Sequence, residues 1–289
     1  MTGIGRFEIN GNDGPMTLPR SYLFVPGHRP DRFAKAASSG AHRIIIDLED
    51  AVGPAEKEAA RRNVADWFNG GGTGVVRINS ADTPWFECDL EAIAGMGNAA
   101  VMVPKSVGQS LARVAEKVPE RPLIALVETV DGLVGVHDVA GARGVSRLAF
   151  GNLDFGTDAR IPGTGEALDP ARFQIVVASR HAGLPPPIDG VTVSFDDDAV
   201  LQSDIRRARL MGFAAKLCIH PRQVEGVNKG LAPTEEEIDW ANRIVAATRD
   251  SGGAAMQVDG KMVDRPMIER ANAILSELED AFGEQDAGL

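Results

Sequence analysis

The sequence predicts an α/β fold, a (β/α)8 TIM barrel with a C-terminal helical extension. Short apolar runs rich in Val, Ile and Leu alternate with longer amphipathic segments, and this alternation is typical of parallel βαβ units. Eight such units in roughly 220 residues have the size of a closed barrel. A doubly wound open sheet is the alternative that the same alternation allows.

The predicted strands are apolar runs bounded by turn residues, as expected for buried strands of a parallel sheet. In chain order they are SYLFV, RIIIDL, GVVRI, AVMVPK, PLIALVE, RLAFG, IDGVTV and AAKLCI. Segments between them, such as FAKAASSG, PAEKEAARRNVADWF and AVLQSDIRRARLMGF, have helical patterning. We therefore expect a barrel domain over residues 20–250, after an N-terminal tail of residues 1–19.

The last part of the chain is predicted to be an extension of the barrel. The stretch SGGAAMQVDGK, residues 251 to 261, is typical of a Gly-rich connection. The segment that follows, MVDRPMIERANAILSELEDAF, is expected to be helical after Pro266. Residues 251–289 are thus assigned to a C-terminal extension.

Composition limits the partners and the compartment. The chain of 289 residues has a formal net charge of -11, so nucleic acid is not an expected partner. Cys88 and Cys218 match no metal or redox spacing, which favours a reduced, cytoplasmic protein. The first twenty residues lack the apolar core of a signal peptide, and no segment approaches a membrane span, so no membrane partner is expected.

Charged residues follow successive strands at the same end. They are Asp47, Glu49, Asp50, Arg77, Lys105, Glu128 and Asp154. An isolated acid at a strand end is more often a helix cap or the partner of an arginine. In a parallel barrel, however, these ends converge on one mouth, where barrel enzymes assemble their active sites. The joint pattern therefore predicts a site.

Glu128 and Asp154 fit a magnesium site best. Two carboxylates on neighbouring strands, with Arg77 two strands away, can hold Mg²⁺ through few protein ligands and leave water and substrate oxygens to complete the octahedron. The sequence therefore predicts Mg²⁺ as the cofactor.

Several stretches resemble the citrate lyase β-chain and malyl- or citramalyl-CoA lyase family, within the HpcH/HpaI aldolase superfamily. They are RSYLFVPGHRPDRFAKAASSGAHRIIIDLEDAV, VVRIN, PLIALVET, LAFGNLDFGTD and KLCIHPRQVEGVN, and the match spans residues 20 to about 270. The resemblance implies a (β/α)8 barrel, Mg²⁺ dependence, an acyl-thioester substrate and a homotrimer or hexamer.

The resemblance also implies a reaction and roles for its residues. The expected enzyme cleaves or forms a 3-hydroxyacyl-CoA, such as malyl-, citramalyl- or citryl-CoA, with acetyl-CoA and a keto acid as the cleavage products. Glu128 and Asp154 would be the metal ligands, Glu128 would also lie against the substrate, and Arg77 would bind the carboxylate of the keto acid. Leu153 stands where the family commonly has an acid, which changes the surroundings of the metal.

Arg29, Arg32 and Lys35 form a basic cluster after the first strand of an acidic protein. A charge run of this kind is more often a solvated helix face. The resemblance favours binding of CoA phosphates, with Arg29 and Lys35 as the better candidates.

Three further residues are weaker site candidates. Glu49 and Asp50 are expected either to pair with Arg77 or to face the ligand. His220, in CIHP, either donates to a ligand or forms part of a rigid His-Pro turn.

Asp264 lies beyond the eighth predicted strand, in the stretch VDGKMVDRP. In the resembled family an aspartate in this KMVD context reaches the site of a neighbouring subunit as the acid/base. The resemblance thus implies that Asp264 is catalytic in an oligomer and that the extension contributes to a neighbouring site. The alternative role is a helix N-cap ahead of Pro266.

Other functions remain open at this point. The same metal and arginine would serve an acyl-CoA thioesterase or a CoA-independent aldolase, and a non-catalytic CoA-binding homologue would keep the same barrel. The acyl group depends on loop positions, which the sequence does not fix.

Overall fold

A computed structural model describes residues 18–97, 99–251, 256–258 and 261–283, and it confirms the predicted (β/α)8 barrel. The strands run parallel in chain order, and β8 pairs with β1 to close the barrel. They are β1 (Ser21–Pro26), β2 (Arg43–Asp47), β3 (Val75–Arg77), β4 (Ala100–Val103), β5 (Leu123–Val127), β6 (Val145–Phe150), β7 (Ile188–Asp189) and β8 (Ala215–Cys218). Each overlaps one of the predicted apolar runs, although β1 ends one residue after its run and β6 begins two residues before its run.

Helices follow the strands and cover the barrel. They are α1 (Phe33–Ala37), α2 (Lys57–Asn69), α3 (Phe86–Ala94), α4 (Gly108–Lys117), α5 (Val130–Val134), α6 (Val136–Ala140), α7 (Asn152–Ala159), α8 (Asp169–His181), α9 (Asp198–Leu210) and α10 (Arg222–Gly230). Short 3₁₀ turns occupy Pro30–Arg32, Pro54–Glu56 and Glu166–Leu168. In the described part of the chain, no helix has both the length and the apolar character needed to cross a bilayer.

Alternating strand positions separate the barrel interior from the helix layer. The buried interior side chains are Tyr22, Ile45, Val75, Met102, Ile124, Leu126, Ala149, Ile188, Ala215 and Leu217. Intervening residues such as Leu23 and Ile46 pack under the helices. Because successive side chains of a strand point to opposite faces, Asp47, Arg77 and Glu128 are directed inward at the C-terminal mouth.

Strand β7 is shorter than the predicted run IDGVTV. The backbone N–H of Val191 donates to Asn152 Oδ1 at 2.8 Å, so the chain beyond β7 bonds a side chain. Gly190 packs tightly here, since an added Cβ would lie 2.0 Å from Asn152 Oδ1. Asn152 thus ends the ladder early and ties the loop after β7 to the start of α7.

A second compact unit begins at Pro233, and the barrel unit spans Pro19–Ala232. The second unit contains α11 (Glu235–Ser251), β9 (Met256–Val258), β10 (Lys261–Val263) and α12 (Arg265–Gly283). Its core includes Ala241, Ile244 and Ala271. The boundary lies earlier than the predicted residue 250 because α11 packs against α12.

The extension contains more regular structure than the sequence pattern indicated. The predicted helix is present as α12. The predicted Gly-rich connection includes β9, which pairs with β10 as an antiparallel hairpin. Most of the predicted N-terminal tail, residues 1–17, lies outside the described residues.

A buried ion cluster joins β7, β8 and α8. Arg172 Nε donates to Asp189 Oδ1 at 2.8 Å. Lys216 Nζ lies 3.5 Å from Asp189 Oδ2 and donates to Gly190 O at 2.6 Å. The exposed fractions of Asp189, Lys216 and Arg172 are 0%, 1% and 4%. Asp189 therefore balances two buried cations.

We expect Asp189→Ala to lower the free energy of unfolding by about 3–5 kcal/mol, because it leaves buried cations without their partner. Urea unfolding followed by circular dichroism measures the loss. Glu87→Ala is the control, since the Glu87–Arg113 pair is half exposed and exposed pairs contribute about 0–1 kcal/mol. Equal losses in the two variants would contradict the assignment.

Candidate active site

Arg77 and Asp47 form a bidentate ion pair at the barrel mouth. The two residues are register partners on β3 and β2. Arg77 Nε donates to Asp47 Oδ1 and Arg77 Nη2 donates to Asp47 Oδ2, both at 2.7 Å. The ring of Phe24 lies 4.9 Å from the guanidinium carbon. The paired edge of the guanidinium is thus fixed by Asp47, to which the sequence pattern assigned no separate role.

Arg77 Nη1, which is not bonded to Asp47, contacts Glu49 and Asp50 in the loop after β2. Arg77 Nη1 lies 3.1 Å from Glu49 Oε2 and donates to Asp50 Oδ2 at 3.2 Å. Burial alone would lower the pKa of Arg77, but the carboxylates around it, Asp47 first, raise the pKa above its ordinary value. Arg77 is therefore a permanent cation.

Glu49 is a buried carboxyl group, 6% exposed. Burial raises its pKa to about 9, although the charge of Arg77 acts in the opposite direction. The ion-pair distance to Arg77 favours a carboxylate, whereas Oε2 has no hydrogen-bond partner within the described part of the chain. Asp47 makes two short hydrogen bonds with Arg77 and so is the carboxylate that balances its charge. We therefore assign the protonated, neutral form to Glu49.

Glu128 follows β5 and is 1% exposed. Its Oε1 accepts a hydrogen bond from the backbone N–H of Lys105 at 2.8 Å. Gly151 packs on the other side, where an added Cβ would lie 2.5 Å from Glu128 Oε2. Burial raises the pKa of Glu128 to about 8, against the effects of Arg77 and the Lys105 amide.

Asp154 lies in the first turn of α7 and is exposed. Its charge adds to the rise in the pKa of Glu128, so the two predicted metal ligands lie near enough for their charges to interact. Among the described residues, no three His, Cys, Asp or Glu side chains are arranged as ligands of one ion.

The donor set at the mouth suits a hard divalent cation. Its acidic members are Asp47, Glu49, Asp50, Glu128 and Asp154. The first three pair with Arg77, and the charges of both Arg77 and Asp154 act on Glu128. Carboxylate oxygens are the ligands that Mg²⁺ prefers. A surplus of carboxyl groups over guanidinium charge also attracts a cation.

Lys57 supports the loop that carries Glu49. Its Nζ donates to the carbonyl oxygens of Leu48 and Glu49 at 2.6 and 2.7 Å, and to Asn79 Oδ1 at 2.6 Å. Burial lowers the pKa of Lys57, while the nearby acids act against this shift. In the sequence Lys57 looks like an ordinary charged residue of an amphipathic helix, so this role was missed.

The predicted CoA-binding residues lie between β1 and the end of α1. Arg29 donates from Nε and Nη2 to the two carboxylate oxygens of Asp31, at 2.9 and 2.7 Å. Lys35 is exposed on α1. The assignment of both residues to CoA stays a prediction.

The contacts of His220 match the turn alternative. Its Nδ1 accepts a hydrogen bond from the backbone N–H of Arg222 at 3.2 Å, and its ring stacks on Phe195 with centroids 5.0 Å apart.

The contacts of Asp264 match the N-cap alternative. Its Oδ1 accepts a hydrogen bond from the backbone N–H of Met267 at 3.1 Å. This bond caps α12 within the second unit. A catalytic role of Asp264 stays a prediction.

Comparison with known proteins gives consistent matches over most of the chain. The profile of the HpcH/HpaI aldolase/citrate lyase family matches residues 20–221. A citrate lyase subunit beta-like protein of Mycobacterium tuberculosis is 37% identical over 271 residues, which cover 91% of this chain and 97% of the relative. A (3S)-malyl-CoA thioesterase of Cereibacter sphaeroides is 34% identical over 270 residues, which cover 90% and 94%.

A solved structure is similar as well. The protein CitE from Mycobacterium tuberculosis, in complex with magnesium, acetoacetate and coenzyme A, matches with a TM-score of 0.80 and 34% identity. The match covers 91% of this chain and 98% of that protein.

The buried acid Glu49 predicts that stability falls as pH rises. Its ordinary pKa is 4.5 and its pKa in the folded chain is about 9, so the folded state keeps a proton that the unfolded state releases. The stabilising contribution is complete below about pH 4.5 and is lost as pH rises through about 9. We expect Glu49→Gln to lose less stability than the wild type over this range, in urea unfolding with EDTA present.

Glu87→Gln is the matched control, because Glu87 is half exposed, and we expect it to keep the wild-type pH dependence. Glu128, with its pKa near 8, contributes in the same direction and leaves a residual slope in Glu49→Gln. Identical pH profiles for Glu49→Gln and the wild type would show that Glu49 is ionised.

Proposed function

We propose that this chain, which belongs to the HpcH/HpaI aldolase/citrate lyase family, is a Mg²⁺-dependent carbon–carbon lyase of 3-hydroxyacyl-CoA thioesters. The observation that carries the proposal is the grouping of Arg77, Glu128 and Asp154 at one barrel mouth. Malyl-, citramalyl- or citryl-CoA would be cleaved to acetyl-CoA and a keto acid, or formed from them.

Glu128 and Asp154 would hold the Mg²⁺ ion. The oxygen donors and the surplus of carboxyl groups at the mouth support this assignment, as does the magnesium in the similar CitE structure. When bound, Mg²⁺ would supply positive charge that favours loss of the proton from the substrate hydroxyl.

The cleavage needs one proton removed and another delivered. The substrate hydroxyl loses its proton, the bond between the α and β carbons breaks, and the new carbonyl belongs to the keto acid. The bonding electron pair moves into the thioester as an enolate, which takes up a proton to give the acetyl thioester. The side chain that moves these protons must not be a metal ligand.

Arg77 would bind the carboxylate of the keto acid through Nη1. Its other two hydrogen-bonding nitrogens are taken by Asp47. Asp50, whose side chain is 64% exposed, is the partner that a substrate carboxylate can displace most easily. Because Asp47 takes both of those nitrogens, the substrate carboxylate would contact Arg77 through Nη1 alone.

Arg29 and Lys35 would bind the phosphates of CoA. Both are exposed or half-exposed cations on the segment after β1. Asp31, which now pairs with Arg29, is itself 61% exposed, so a phosphate can replace it at low cost.

Asp264 would act as the acid/base at the site of a neighbouring subunit, in a homotrimer or hexamer located in the cytoplasm. Its proton-transfer role is separate from the metal ligands. The residue caps α12 in this structure, and a capping carboxylate keeps a second oxygen for chemistry.

Thioester hydrolysis is the second candidate function. The specific support is the (3S)-malyl-CoA thioesterase of Cereibacter sphaeroides, which is 34% identical and covers 90% of this chain. The two reactions differ in which bond of the substrate breaks.

Product analysis tests the proposal. Purified protein with Mg²⁺ and malyl-, citramalyl- or citryl-CoA should release a keto acid without free thiol. Free thiol with an intact hydroxy acid would instead establish a thioesterase. Glu128→Ala and Asp154→Ala should each lower Mg²⁺-dependent turnover by more than about 100-fold, since even loss of an outer-shell partner costs about 10–100-fold.

Asp158→Ala is the control for these variants. Asp158 is an exposed acid on the same helix as Asp154 and accepts a hydrogen bond from the backbone of Val130. It should keep most of the activity. Near wild-type turnover in Glu128→Ala or Asp154→Ala would contradict the metal assignment.

Subunit mixing tests the role of Asp264. Asp264→Asn removes the acid but keeps the cap, because Asn is as good an N-cap as Asp. Inactive Asp264→Asn chains mixed with inactive Glu128→Ala chains should regain part of the activity after subunit exchange, since some sites then combine an intact mouth with an intact Asp264.

A mixture of Glu128→Ala with Asp154→Ala chains is the control and should stay inactive, because both residues belong to the mouth of the same chain. Absence of recovery in confirmed mixed oligomers would reject the shared site. Full activity of Asp264→Asn alone would leave Asp264 with only its capping role.

A further inference from the structure

Lys105 has an unusual backbone conformation at the end of β4. Its φ is 44°, and among the described residues other than glycine only Arg160 also has a positive φ, of 57°. This region disfavours residues with a Cβ. Lys105 follows Pro104, and a proline followed by a residue of positive φ is the order of a type II turn, in which glycine is the usual second residue.

The turn is fixed on both sides. Ser106 Oγ donates to the carbonyl of Val103 on β4 at 2.8 Å. The backbone N–H of Ser106 donates to the carbonyl of Leu126 on β5 at 3.1 Å. Ser106, which directly follows Lys105, is therefore bonded to both β4 and β5, and these bonds hold the disfavoured conformation in place.

The consequence of the turn is the direction of one amide. The N–H of Lys105 donates to Glu128 Oε1 at 2.8 Å, while Gly151 lies against Oε2. The side chain of Lys105 is exposed and takes no part in this bond. Its charge acts on Asp82 instead. The hydrogen bond from Ser80 is the main cause that lowers the pKa of Asp82, and the positive charge of Lys105 adds a smaller effect in the same direction.

We propose that Lys105 is a positioning residue whose left-handed backbone aims its amide at Glu128 and orients that carboxylate for a divalent cation. The inference rests on the proposed function, because it takes Glu128 as a metal ligand. A carboxylate with one oxygen held by the protein presents the other in a defined direction. Loss of such an outer-shell partner typically weakens metal binding by about 10–100-fold.

Substitutions at position 105 distinguish an effect of the backbone conformation from an effect of the lysine side chain. Glycine and asparagine accept a positive φ and keep the amide, whereas β-branched valine is strongly disfavoured there. With Mn²⁺ as the probe and metal-free protein, Lys105→Gly and Lys105→Asn should bind within about 3-fold of the wild type, and Lys105→Val about 10–100-fold more weakly. Calorimetry gives the dissociation constants without any measurement of turnover.

Arg160→Val is the matched control, because it places the same strain at the other positive-φ position, the C-cap of α7. It should lose thermal stability comparably and still bind Mn²⁺ like the wild type. If Lys105→Val does not fold, Ser106→Ala removes the tie to Val103 and should weaken Mn²⁺ binding several-fold.

The outcomes separate this inference from the proposed function. Wild-type Mn²⁺ binding by Glu128→Ala would overturn the metal assignment itself. Lost binding in Glu128→Ala together with unchanged binding in Lys105→Val, or in Ser106→Ala if that variant is used, would overturn only the positioning role. A loss in Lys105→Gly as large as that in Lys105→Val, or an equal loss in Arg160→Val, would also overturn it.

Discussion

The bidentate pair between Arg77 and Asp47 is the interaction on which the barrel mouth depends. It joins β2 and β3 where they end and commits most of the guanidinium to one carboxylate. The other acids at the mouth must therefore share what remains of one positive charge. Burial raises the pKa of Glu49 to about 9 and that of Glu128 to about 8, and the charge of Arg77 only partly opposes these shifts. Crowded carboxyl groups of this kind are the normal setting in which a protein binds a hard cation.

The neighbouring supports of this mouth are mostly backbone contacts. Lys57 holds two carbonyl oxygens of the loop after β2, the Lys105 amide holds one oxygen of Glu128, and Asn152 holds the chain after β7. The residues at the strand ends are thus held in position by groups to which no part in the reaction is assigned. Outer-shell partners of metal ligands generally act in this way.

The sequence predicted the barrel because buried parallel strands are nearly uniform in their apolar character. It also placed Arg77, Glu128 and Asp154 at the ends of strands, because charges next to such apolar runs are conspicuous, and their roles stay predictions. It could not predict the Asp47–Arg77 pair, which depends on the register between two strands. Nor could it predict the length of β7, which is limited by the side chain of Asn152 at the start of α7, or the domain boundary, which is set by packing of α11 on α12. These features depend on tertiary contacts that local patterns do not contain.

Gly151 and Gly190 limit how this mouth can evolve. Any side chain at either position would collide with Glu128 or Asn152 at 2.5 Å or less, so neither position can adapt a pocket to a new acyl group. Variation must instead come from residues that already project outward after the later strands. These include Leu153, Val193, Phe195 and Ile219, which are 41%, 52%, 48% and 43% exposed. Related barrels can therefore diversify in the substrates they accept through these loop residues, while their strand ends stay unchanged.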